Sequence, residues 1–179
     1  MEEQKGTPPD AKALFVQYKG NKVAMHRADV LESYKTYDIS IEEENEWYAE
    51  IIDSLANKLS IMNWEAVTEL EALAKYYPSP PILERVVSFA DRHISGADSL
   101  VRLVYAEKMT ELIQTMKRVI TTEALHSVSR TAVRIFQDII AKPLIVDEGH
   151  SMQVFQLRDK RSLNNRCKIG LDRIEELLN

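Results

Sequence analysis

The chain changes its hydrophobic period once. Around Gly20-Asn21 apolar and polar residues alternate, with Leu14, Val16 and Tyr18 on one side and Val23 and Met25 on the other. Alternation puts every second side chain on one face of a strand, and Gly-Asn suits a two-residue primed turn. The pattern therefore predicts a β-hairpin over 11–27. Two strands alone are marginal in water, so this ribbon is expected to pack on helices or accept a third strand. Leu144-Ile145-Val146, just after Pro143, is the candidate.

From Asp29 onward the period becomes about 3.6, which gives a helix one buried face. A short helix is expected over 30–37. Ser40-Ile41-Glu42-Glu43 then reads as a capping box opening a helix whose stripe is Tyr48, Ile51, Ile52, Leu55 and Leu59. Glu42, Glu43 and Glu44 sit where the helix dipole favours negative charge. Asn63 is expected to cap the next helix, with Val67, Leu70, Leu73, Ala74 and Tyr77 inward, and Pro78 ends it. Ser79-Pro80-Pro81 opens another that runs through Ile82, Val86, Phe89 and Ala90 and stops near Gly96. Asp98 caps a long helix through Val104, Tyr105, Leu112, Met116 and Val119. Thr121 or Thr122 caps one through Val128, Ala132, Ile135, Phe136 and Ile139.

These elements predict a mainly α fold of five to seven helices packed as antiparallel pairs, as a bundle or a short HEAT-like stack, with the small N-terminal hairpin. Residues 1–10 read as a flexible lead-in and 11–179 as a single domain. Within it lie the hairpin (11–27), the helical core (28–142), a loop or edge strand (143–151) and a C-terminal amphipathic helix (152–179). Leu163, Cys167, Gly170, Ile174 and Leu177 form the stripe of that last helix, where Gly170 would mark a close approach of helices. Helix starts at irregular steps argue against a sequence repeat.

Composition narrows the chemistry. The 179 residues hold five glycines, too scattered to write a phosphate-binding glycine loop, and one cysteine, which rules out an internal disulfide. A lone thiol, no apolar run of membrane length and the acidic opening Met1-Glu2-Glu3 lead to the expectation of a cytoplasmic protein with no membrane contact. Net charge is −5, yet residues 151–179 carry six basic against four acidic groups.

That tail supplies the best binding candidates: Arg158, Lys160, Arg161, Arg166, Lys168 and Arg173. Helical spacing puts Arg158, Arg161 and Lys168 on one side, away from Leu163 and Ile174. Interleaved Asp159, Asp172 and Glu175 make a solvated outer face the competing reading. For metal chemistry Glu123-Ala124-Leu125-His126 has the i, i+3 spacing of carboxylate bundles, but Asp147-Glu148-Gly149-His150 is a poor second copy in a loop. Glu123 and His126 thus remain isolated candidates, and no cofactor is expected. Cys167 falls on an apolar stripe, where a thiol is a small hydrophobe.

No motif names an activity. The expectation is a non-catalytic protein-protein interaction or regulatory module, self-associating as a homodimer through the hairpin edge or the C-terminal helix. The alternatives are a nucleic-acid-binding protein using the basic C-terminal helix and a helical metalloenzyme around Glu123 and His126.

Overall fold

The computed structural model describes residues 10–179, and among them lie nine α-helices and no strand. The chain divides into two compact units, the first ending at Ser54 and the second running from Leu55 to Asn179.

The first unit holds α1 (Ala11–Gln17), α2 (Lys22–Arg27), α3 (Leu31–Lys35) and most of α4 (Ile41–Ala56). The expected hairpin is therefore two short helices. The residues that α1 buries are Ala11, Leu14 and Phe15, at helical spacing, whereas Val16 and Val23, which a hairpin would turn inward, are 45% and 61% exposed. Gly20 does make the turn. At φ +72° its amide donates to Phe15 O at 2.8 Å, ending α1, and Asn21 caps α2 by accepting the Ala24 amide at 3.0 Å. The Tyr48 hydroxyl donates to Gly20 O at 3.0 Å, and a Cβ on Gly20 would stand 2.3 Å from that hydroxyl. Left-handed backbone and lack of space both call for glycine.

Phe15 centres this unit, with ring centroids 4.8 Å from Tyr48, 5.3 Å from Trp47 and 6.2 Å from Tyr34. The capping box at α4 forms as the sequence predicts. Ser40 Oγ accepts the Glu43 amide at 3.2 Å while the Glu43 carboxylate accepts the Ser40 amide at 3.2 Å. Pairs Lys22–Glu44 (3.0 Å) and Lys12–Glu50 (2.8 Å) tie α2 and α1 to α4.

The second unit comprises α5 (Glu65–Ala74), α6 (Pro80–His93), α7 (Ser99–Met116), α8 (Thr122–Ala141) and α9 (Lys160–Leu178). The central element is α7, which packs against α5, α6, α8 and α9. A helix covered on every side needs apolar residues all round, and Leu100, Val101, Leu103, Val104, Tyr105, Met109, Leu112 and Ile113 supply them. Polar groups on such a helix must be paired. Arg102, 3% exposed, reaches Asp138 on α8 at 2.9 Å, and Lys108 reaches Glu71 on α5 at 3.2 Å and Glu111 at 2.8 Å. Burial alone would raise the Glu71 carboxyl, but Lys75 and Lys108 outweigh it and hold the group below its ordinary value.

Most helix starts follow the sequence: Asp98 accepts two amides at the head of α7, Thr121 caps α8, and Pro80 and Pro81 occupy the first turn of α6. The N-cap of α5, however, is Trp64 and not the expected Asn63, whose Oδ1 accepts the Glu65 amide at 3.2 Å. The count is nine rather than five to seven because 11–27 contributes two helices. Residues 143–151 are a loop, not an edge strand, and the expected helix over 152–179 is interrupted. A single 3-10 turn spans Met152–Phe155, Gln156 is left-handed (φ 58°), and α9 begins only after Asp159, which forms a reciprocal cap with Ser162. No helix among the described residues is long and apolar enough to cross a membrane.

Candidate interaction surface

The six basic candidates separate by direction. Arg166 turns inward. Its guanidinium makes paired bonds of 2.6 and 2.9 Å to Glu107 on α7, donates to Phe155 O at 2.9 Å, and stands 5.8 Å from the centre of the Phe155 ring. Lys160 donates to the Ile139 carbonyl on α8. Burial lowers its ammonium, and the charge of Arg102 adds to that. Arg173 donates to Gln114 on α7. These three fasten α9 to α7 and α8.

The other three, Arg158, Arg161 and Lys168, are exposed, as is Arg173 beside its bond to Gln114. On α9 the outward arc consists of Arg161, Asn165, Lys168, Asp172, Glu175 and Glu176, with Ile169, 67% exposed, and the exposed Arg173 at its margin. The inward stripe of Leu163, Cys167 and Ile174 lies opposite. Charge on this arc is biased along the axis, since Arg161 and Lys168 precede Ile169 and all three acids follow it, with the exposed Arg173 beside those acids and bonded to Gln114. The first turn of α9 contains no acid and the last no base. Past the Asp159 cap, which does place a carboxylate at the helix start, that order opposes the helix dipole, which favours acids at the start and cations at the end by about 0.3–1 kcal/mol each.

Gly170 faces α8. A Cβ there would stand 2.4 Å from Cζ of Phe136, whose ring is fully buried, so the missing side chain lets the two helices meet. Beside it a cleft of about 410 Å³ has Glu107, Phe136, Arg166, Ile169, Gly170 and Arg173 among its lining residues. Its arginines are the ones already bonded to Glu107 and Gln114. Cys167 is completely buried, and burial pushes its thiol up to about 12, far from a nucleophile's range.

Glu123 and His126 are both placed on α8 and do not belong to a cluster of potential metal ligands among the described residues. The group that does form is Asp98, Asp147 and His150, with ligand atoms within 4.8 Å of one another. Asp98 is fully occupied. Its Oδ1 accepts the Leu100 and Val101 amides at 2.9 and 2.8 Å, and its Oδ2 accepts the Asp147 amide at 2.9 Å and meets His150 Nδ1 at 2.7 Å. With Ser99 N donating to Ile145 O (2.8 Å) and Ile145 N to Ser99 Oγ (3.0 Å), this is a clasp holding 144–150 to the head of α7. Trp64, with its ring centre 4.9 Å from that of His150, covers the imidazole. A metal ion at Asp98 would have to displace these bonds. In the sequence Asp98 is legible as a helix cap and Asp147 and His150 as a loop pair, but 49 and 52 residues of separation conceal their union.

No protein-family model, curated protein or solved structure matches the chain.

Proposed function

We propose that this is a cytosolic, non-catalytic protein-protein interaction module whose contact surface is the outward arc of α9. The observation that carries the reading is the charge bias along that arc, with Arg161 and Lys168 before Ile169 and Asp172, Glu175 and Glu176 after it, against the preference of the helix itself. Arg173 is the one cation among those acids and is bonded to Gln114. Local rules broken without a local gain are expected at functional surfaces. The exposed Ile169 adds an apolar contact at the middle of the arc. The buried thiol of Cys167 suits a reducing compartment.

Photo-crosslinking in the cell tests the proposal. A photoreactive residue at Ile169 is expected to give covalent protein adducts, and the same residue at Met62, 61% exposed but outside α9, to give none. Equal labelling at both positions, or none at Ile169, contradicts the reading. Adducts at Ile169 that nuclease removes would replace it with nucleic-acid binding through the basic half of the arc.

A further inference from the structure

We infer that the partner of the α9 arc is a second copy of this chain, joined by antiparallel pairing of the two α9 helices about a two-fold axis between Lys168 and Ile169. This rests on the arc being a protein contact surface and adds its occupant and register.

Charge complementarity points to that occupant. α9 spans 19 residues, about 28 Å at 1.5 Å per residue, and its midpoint is Ile169. A two-fold axis makes residue i of one copy face residue j of the other while j faces i. With the axis between 168 and 169, Arg161 meets Glu176, Asn165 meets Asp172, and Lys168 meets Ile169, where its methylene stem covers the isoleucine. Every one of these residues is exposed on α9. No other shared axis position puts Arg161 against an acid and Asn165 against another carboxylate in one register.

The side chains are available for it. Arg161, Lys168, Asp172, Glu175 and Glu176 close no ion pair with a described residue. Asp159 feels the charge of Arg161, but its carboxylate is taken up by the Ser162 amide at 2.8 Å. Parallel pairing would oppose cation to cation and acid to acid. Antiparallel pairing also sets each helix end against the opposite dipole end of its partner, so the charge order unfavourable within one copy becomes favourable between two.

One helix face buries less than the roughly 1,600 Å² of a standard interface, so the pair is weak and sensitive to salt. Sedimentation velocity on the purified full chain at about 50 mM salt, inside the range where surface charges are felt, tests the register. Arg161→Glu and Glu176→Arg alone are each expected to weaken self-association at least about tenfold, since the two-fold axis introduces each repulsion twice. An equimolar mixture of the two variants is expected to associate again as a one-to-one pair, because one copy then carries only carboxylates at positions 161 and 176 and the other only guanidiniums. Unchanged helicity by circular dichroism shows that each variant folds. A mixture that stays monomeric, or single variants that associate like the wild-type chain, overturns the inference. Ile169 adducts to a different protein combined with a strictly monomeric purified chain would overturn this occupant while leaving the contact surface in place.

Discussion

Gly170 and Phe136 form the most demanding contact on α9. In an open helix Gly→Ala stabilises by about 1 kcal/mol. Here the new Cβ would stand 2.4 Å from a ring with no exposed surface, so Gly170→Ala is expected to destabilise by about 1–3 kcal/mol in denaturant titration, a reversal of sign. Increased stability would mean that α8 and α9 meet elsewhere. Cys167, three positions earlier on the same stripe, is expected to resist thiol reagents at pH 8 in the native state and to react at once in denaturant. Rapid native labelling would contradict its burial. Both roles were legible in the sequence, because a glycine or a thiol on a helical apolar stripe is placed to pack against a neighbouring helix. The inward turn of Arg166 was not, since Glu107 lies 59 residues away and its guanidinium looks, in sequence, like those of Arg158 and Arg161.

Elements were readable wherever a cap and a 3.6 period agreed, as at Ser40, Asp98 and Thr121. They failed where the segment was short. Seven residues of α1 and six of α2 cover barely two turns each, so two or three alternating apolar residues imitate a strand, and Gly20 serves a helix end as well as a hairpin. Loop 144–150 carried no period at all, and its order comes from Asp98. Burial would raise the Asp98 carboxyl, but the Asp147 and Val101 amides and the His150 ring outweigh it and hold the group below its ordinary value. A depressed carboxyl contributes stability above its unfolded value, about 3.9, and loses that contribution as pH falls through the folded one. Asp98→Asn is therefore expected to cost about 1.5–3 kcal/mol at pH 7, with the gap to wild type narrowing below about pH 4. A constant gap across that range would show that the charge on Asp98 contributes nothing. On α9 itself, Glu176→Arg places a cation at the carboxyl end of the helix and is expected to raise the stability of the dilute monomer by about 0.3–1 kcal/mol while weakening association. Loss of both would identify Glu176 as a structural residue.

Among the described residues, buried ion pairs concentrate on α7, while the outer face of α9 keeps charges that close no ion pair with a described residue. Net charge of −5 resists association at low salt through general repulsion, so a pair formed under those conditions must come from local complementarity. Sequence alone located the basic residues of this face but read the interleaved acids as solvation, because their order along the axis acquires meaning only once α9 is known to start after Asp159 and to present Arg161 and Glu176 on the same arc. Pairing through α9 is read out by the weight-average mass of the wild-type chain against concentration at low and high salt. The mass is expected to rise from 20.6 kDa toward twice that value at low salt, and to fall back at about 0.5 M salt, where screening is confined to a few ångströms. A mass fixed at 20.6 kDa at every concentration in low salt, or a dimer indifferent to salt, would contradict it.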